Sequence, residues 1–406
     1  MNDNTQDKSH KSAQQSANSK IHGVGRLTID AVLAVTDIVE SLHSRISPLS
    51  GLHKKSEEEQ LSGISGLVYR NIRNVTQWVG KNIDVPLGAI NKTLASEPYS
   101  ASAQTLLAAL NGVLGDYLFV RDNPLAIPMH FRRNGQILTD EQLIEIINQS
   151  NGTLLIMAHG LCMNDIQWCR EGHDHGAELA KESGMAAIYL HYNSGRHISD
   201  NGKQFAALLE SLVQLTDKKL DINILAHSMG GLVSRSAFHV AQSSGHKWPE
   251  RLNKLVFLGT PHHGAALEKA GNWIDLILGA HAYTVPFARL VKVRSAGITD
   301  LRYGNVQQSD WHTTERFEFS GDQRQPVPLP DSVCCFAVAT SAKESIHYPL
   351  GDGLVRIKSA LGEHRNSVFH LQFPETHKWV GTHINHMQLL NDPEIYQVLR
   401  TWFEIH

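Results

Sequence analysis

Asp221-Ile222-Asn223-Ile224-Leu225-Ala226-His227-Ser228-Met229-Gly230-Gly231-Leu232-Val233 changes its period in the middle. Ile222, Ile224 and Leu225 form a short apolar run of strand type, whereas Leu232, Val233, Ala237 and Val240 recur at helical spacing. The spacing predicts a strand, a tight turn and a helix. At such a turn the backbone bends so sharply that only small side chains fit two residues before and two after the central serine. Ala226 and Gly230 occupy those places, and Gly231 lets the helix close on the sheet. The bend lifts Ser228 above the sheet, and the Met229 N–H comes to a helix N-terminus, facing any negative charge that develops on a ligand oxygen. Ala226 stands where the pattern Gly-x-Ser-x-Gly has its first glycine. An ordinary helix start with Ser228 near the cap is the competing reading. The turn alone leaves both open.

Working outward, residues 153–158 are a continuous apolar run of the kind buried on both faces of a sheet, ending in His159-Gly160-Leu161. Residues 186–192 and 255–258 read as further strands, the second ending in Gly259-Thr260-Pro261-His262-His263-Gly264. Residues 178–182 and 205–215 are helical in pattern and lie between them. Residues 126–138 read as a hairpin around Asn134-Gly135. Residues 333–339 and 368–373 complete the strands, and 394–403 is a terminal helix. Strands alternating with helices predict an α/β domain built on a mostly parallel sheet with helices on both faces.

Two stretches break that rhythm. Residues 265–330 hold one amphipathic segment, 273–278, and end in Pro326, Pro328 and Pro330; an insertion of this size after a strand reads as a cap or lid. Before the α/β part, residues 26–46, 64–79 and 102–119 carry apolar residues at helical spacing. The expected organisation is a disordered polar tail over 1–20, a helical N-terminal region over 21–122, and a catalytic domain over 123–406 with the lid at about 265–330. The helices of 21–122 suit packing on the catalytic domain, and equally a peripheral contact with a membrane or lipid body.

Composition narrows the classes. With 41% apolar and 19% charged residues the chain reads as globular, and 37 basic against 40 acidic residues give a net charge of −3, no signature of a nucleic-acid partner. Cys162, Cys169, Cys334 and Cys335 sit in or beside apolar runs, so buried free thiols and a cytoplasmic setting are expected. The sequence shows no run of about 18 apolar residues that predicts a membrane-spanning helix. His173-Asp174-His175 has the residue types of a metal site without a fourth ligand nearby, and no metal or other cofactor is expected.

In an open α/β sheet, ligands bind where the strands end at their carboxyl side. After 153–158 comes Leu161, whose N–H can act beside that of Met229 as an oxyanion donor. After 333–339 comes Gly351-Asp352-Gly353, and after 368–373 come His377, His383 and His386. Asp352 is favoured as the acid over Asp300, Asp322 and Asp331, which precede or begin that strand, and His386 as the base because it leads directly into a helix. His159, Gly160, His262, His263 and Arg196 follow strand ends and are expected to line a substrate pocket, with Arg196 otherwise a surface residue. His227 is expected to point away.

The order Ser228, Asp352, His386 and the Ala-His-Ser-Met-Gly turn resemble an α/β-hydrolase of the lipase and esterase kind from about residue 126 to the end, and 153–161 and 259–264 resemble its lipase-like, GPI inositol-deacylase-like branch. The resemblance implies a serine hydrolase that cleaves carboxylic esters, lipidic or otherwise apolar, through an acyl-enzyme. Thioesterase, amidase or polyester depolymerase activity would use the same residues. A non-catalytic hydrolase-fold protein that binds a partner or lipid surface through its helical prefix is the reading from another class.

Overall fold

The computed structural model describes residues 101–265, 295–312 and 324–405. The chain forms two compact units, one of Gln104–Ala280 with Arg294–His406 and one of Met1–Ala103 with His281–Val293. The second lies almost wholly outside the described residues, as do the tail, the helices expected over 26–46 and 64–79, and the segment 273–278. The first unit already includes most of the helix expected over 102–119, so the sheet-bearing unit starts earlier than residue 123.

That helix, α1, spans Ala101–Val120. The hairpin follows as β1 (His130–Arg133) and β2 (Gln136–Ile137), and Asn134 and Gly135 take the positive φ of 52° and 75° that its two-residue turn requires. Helix α2 (Asp140–Gln149) begins in a capping box between Thr139 and Gln142. Next come β3 (Thr153–Ala158), α3 (His175–Ser183), β4 (Ala186–His191) and α4 (Ile198–Gln214). They lead into β5 (Asp221–His227), α5 (Met229–Ser244) and β6 (Leu252–Leu258). The remainder comprises α6 (Ala296–Tyr303), α7 (Ser309–His312), β7 (Cys334–Ser341), α8 (Ile357–Ala360), β8 (Lys378–Thr382) and α9 (Pro393–Trp402).

The strands form one eight-stranded sheet in the order β2-β1-β4-β3-β5-β6-β7-β8. β1 runs antiparallel to β2 and β4, and every other pairing is parallel. The chain has an α/β-hydrolase fold. One face of the sheet packs Leu155, Met157, Val256 and Phe336 against Leu179 and, from the C-terminal region, Leu389, Ile395 and Leu399. On α4 and α5 the buried residues include Phe205, Leu209, Ala237 and Phe238, the last edge-on to Trp248. Each such side chain removed from water contributes about 1.5–3 kcal/mol before chain entropy is subtracted.

The strand expected over 368–373 is not one. Ser367–Phe369 is a short 3-10 turn started by the Asn366 side chain, which accepts from the Val368 N–H, and Val368 itself is exposed. The last strand is Lys378–Thr382, an edge strand with only Gly381 buried. An edge strand does not need the apolar run that marks a buried one, so hydropathy pointed ten residues upstream.

Helix α1 explains its own apolar character. Residues 103–120 have a mean hydropathy of 1.2 over a length that could span a membrane, yet 61% of this window is buried. Leu110, Val113, Leu114 and Leu118 are buried, and Asn111 is fully buried with its amide donating to the Leu125 carbonyl and accepting from the Ile127 N–H. Gly112 and Gly115 permit the close approach: a Cβ on them would lie 2.1 Å from Cys162 Sγ and 1.8 Å from Asn193 Oδ1. The helix therefore packs on the loops that follow β3 and β4. Of the expected insertion, α6 is fixed to the same region, with Ser295 Oγ donating to the Gly112 carbonyl, the Ala296 N–H to Asp116, and Asp300 receiving the Ile198 N–H.

Candidate active site

At the end of β5 the chain turns through Ser228 with φ 54° and ψ −122°, a conformation that costs a non-glycine residue roughly 1–3 kcal/mol. Helix α5 begins at the next residue. Gly230 makes the turn possible, because a Cβ there would stand 2.2 Å from the Ala158 carbonyl oxygen and 2.7 Å from that of His159. The start of α5 is thus pressed against the loop after β3, where Gly160 lies next to Ser228. The Met229 N–H, at the first position of α5, has no intrahelical acceptor. The Leu161 N–H likewise donates to no acceptor among the described residues. Ser228 is 4% exposed, and its hydroxyl makes no hydrogen bond among the described residues.

Asp352 sits in the loop after β7, flanked by Gly351 at φ 57° and Gly353 at φ 103°. Its Oδ1 accepts from the Leu354 and Val355 N–H groups at 2.9 and 2.8 Å, which fixes the carboxylate and leaves Oδ2 for His386. His386 Nδ1 donates to that Oδ2 at 2.6 Å, with both side chains buried. The second ring nitrogen, Nε2, is then the basic atom; it is buried and has no partner among the described residues. Gly259 abuts this pair, since a Cβ on it would lie 3.1 Å from Asp352 Oδ2 and 3.3 Å from His386 Nδ1. Ser228 lies beside the same strand end, its N–H donating to the Leu258 carbonyl.

The rivals separate cleanly. Asp300 is buried but holds His197, the Ile198 N–H and Asn305, away from His386. His383 is exposed, and His377 bonds the Cys335 carbonyl. His227 does not point away as expected: its ring packs on that of His386 at 4.7 Å, and its Nε2 donates to the His386 carbonyl at 3.1 Å. Burial holds its pKa well below the usual histidine value, with the neighbouring His386 adding to the effect. It is a neutral support under His386 that the sequence, read one residue at a time, does not reveal.

The expected pocket residues divide into three groups. Gly160 faces Ser228, while His159 is fully buried, stacked on Tyr192 at 4.3 Å and pushed down to a pKa of about 4 by burial. His262 and His263 line a separate small cavity with Arg235 and Arg324. Arg196 is not brought to the Asp352–His386 pair: its guanidinium lies 3.6 Å from the centre of the Phe119 ring on α1 and 3.7 Å from Asp200.

A family model described as "Domain of unknown function (DUF7379)" matches residues 124–300. The match covers less than half of the chain; it includes Leu161, Ser228 and Met229 and ends before Asp352 and His386. No curated protein matches the sequence. Among solved structures, the chain is similar in fold to the mature Bacillus licheniformis lipase BlEst2, at 19% identity over 61% of this chain and 90% of that one, with a TM-score of 0.40. It is also similar to the RedJ thioesterase of the Streptomyces coelicolor prodiginine pathway, at 15% identity over 63% and 90%, TM-score 0.36. For Aspergillus fumigatus lipase B the figures are 10% identity, 67% and 58%, and a TM-score of 0.37.

Two further stretches singled out in the sequence lie among the described residues. His173 and His175 bond each other at 2.7 Å, and His175 Nε2 reaches the Leu389 carbonyl, so both nitrogens of His175 are engaged. No group of three or more metal-ligating side chains is present among the described residues. Of the four cysteines Cys162 and Cys335 are buried, but Cys169 and Cys334 are exposed, contrary to expectation.

Proposed function

We propose that the chain is a serine hydrolase that cleaves carboxylic esters through an acyl-enzyme, with Ser228 as nucleophile, His386 as base and Asp352 as its orienting acid. The observation that carries this reading is the buried His386–Asp352 pair at 2.6 Å, with Nε2 unbonded among the described residues, together with a turn that holds Ser228 at φ 54° and bonds its N–H to the Leu258 carbonyl. His386 Nε2 takes the Ser228 proton as Oγ attacks the acyl carbon, and it returns that proton to the leaving alcohol. The Leu161 and Met229 N–H groups receive the oxyanion, each contributing about 3 kcal/mol to transition-state stabilisation. Water, deprotonated by the same imidazole, then releases the acid. The His159-Gly160-Leu161 loop and the Ala-His-Ser-Met-Gly turn favour a lipase-like, apolar acyl group.

Covalent labelling of the full chain by a fluorophosphonate, with the modified residue mapped, tests the assignment. Labelling at Ser228 that is lost in Ser228→Ala and His386→Ala supports it. Labelling elsewhere, or labelling that survives His386→Ala at the same rate, overturns it. Matched oxygen and sulfur esters of one acyl chain then separate esterase from thioesterase chemistry.

A further inference from the structure

About two turns along α5 from Ser228, Arg235 is buried, and no ion pair joins it to a carboxylate among the described residues. Its Nη2 donates to the Val327 carbonyl, and Nη1 stands 3.4 Å from His262 Nδ1. Its Nε–H is buried without an acceptor. Burial lowers its pKa to about 10, with Arg324 pushing the same way and Asp310 opposing, so the group stays charged at neutral pH. Asp310 cannot serve as its partner, because its carboxylate is taken by the N–H groups of Val306, Gln307 and Gln325.

Arg235 lines a cavity of about 40 Å³ with His262, His263, Arg324, Val327 and Phe369 among its walls. Since His262 Nδ1 accepts from Arg235, its Nε2 carries the proton, and that donor too is buried and unpartnered. Arg324 donates to the His262 and Gly304 carbonyls and lies over the Phe369 ring, bringing a second guanidinium to the same walls. No aspartate or glutamate is among the described residues that line the cavity. A water needs roughly 10–15 Å³ of such volume, so the space of about 40 Å³ holds about three waters, room for the terminal oxygens of one oxyanion. Waters could satisfy the donors but not the charge, and a buried cation without a counter-ion is strongly disfavoured.

We propose that this cavity binds a single oxyanion, the carboxylate or phosphate group of a ligand. Arg235 Nε–H and His262 Nε2–H donate to it, with the Arg324 guanidinium in the same walls. Charge-assisted donors from a guanidinium match the planar edge of either group. Two guanidinium groups, with no carboxylate among the described lining residues, argue against a metal cation. The inference does not depend on Ser228 chemistry, because neither Ser228, Asp352 nor His386 lines this cavity.

Calorimetric titration of the full chain with sodium acetate and with inorganic phosphate, at an ionic strength held constant with chloride, tests it. Saturable binding of either anion that weakens at least about tenfold in Arg235→Gln and in Arg324→Gln supports the proposal. Preference for acetate assigns a carboxylate ligand, and preference for phosphate a phosphorylated one. Absence of binding above the chloride background overturns it, as does equal affinity in Arg324→Gln. Should Arg235→Gln fail to fold, the half-buried Arg324→Gln decides alone.

Discussion

Asp352 holds His386 twice: its Oδ2 accepts from the imidazole Nδ1 at 2.6 Å, and its backbone carbonyl accepts from the His386 N–H at 2.9 Å. The ring and the main chain of the base are therefore located by one residue. Asp352→Asn keeps the backbone bond but presents an amide N–H₂ to Nδ1, which turns the tautomer round and leaves the proton on Nε2. Hydrolysis of a p-nitrophenyl ester should fall by about 10⁴ in kcat with KM within a few-fold. A loss below tenfold in a folded variant would sink the role given to Asp352.

Gly259 is the close neighbour of this pair. It has φ 56°, and a Cβ would meet Leu389 Cδ1 at 2.5 Å as well as the Asp352 and His386 side chains. Gly259→Ala should cost about 1–3 kcal/mol in stability, from the left-handed backbone and overpacking, and about 10² in kcat through displacement of the imidazole. Urea unfolding read beside steady-state kinetics separates the two effects. Full kcat in the variant would show that the pair tolerates the methyl group.

Helix α1 stands behind the loop that carries the Leu161 N–H. In Gly112→Ala the new methyl group would meet Cys162 Sγ at 2.1 Å and Cys162 Cα at 2.9 Å, next to Leu161, the proposed oxyanion donor. Loss of stability of about 1–3 kcal/mol and a fall in kcat should follow, with part of each restored by adding Cys162→Ala, since the two sites touch. Additive effects in the double variant would rule out a route through Cys162.

These relationships mark how far the sequence reading reached. The turn at Ser228 was legible because its steric demand leaves small residues at Ala226 and Gly230, and β3 was legible to the residue because a strand buried on both faces is a continuous apolar run. The pairing of Asp352 with His386 was anticipated by asking which polar residues follow the later strands, although one of those strands was misplaced. Long-range packing was not legible. Gly112 and Gly115 weaken a helix when read locally, and only the loops after β3 and β4 reveal what they allow. For the same reason Arg235 passed as one more helix residue, since having no ion-pair partner among the described residues is a property of the folded neighbourhood.

His159 gives the fold a measurable dependence on pH. The residue is fully buried, its Nδ1 bonds the Gly160 carbonyl at 2.8 Å, and its Nε2 has no partner among the described residues. Burial, helped by the Arg132 charge, lowers its pKa to about 4 against the bond to Gly160. Its unfolded value is near 6.5, so below that pH the unfolded chain takes up a proton that the folded chain refuses. The contribution is complete above about pH 6.5 and is lost progressively as the pH falls towards 4, amounting to ~3 kcal/mol over the interval. His159→Gln removes one such proton, so at pH 5 the slope of unfolding free energy against pH should fall by about 1.4 kcal/mol per unit. Titrating groups not coupled to His159, including Asp165 and Asp174 whose pKa values burial raises, act equally in both proteins and cancel in the difference, whereas His191 and His227 feel the His159 charge only once it is protonated. Urea titrations between pH 4.5 and 7.5 would measure both slopes, and parallel lines would show that His159 is protonated in the folded protein as readily as in the unfolded chain.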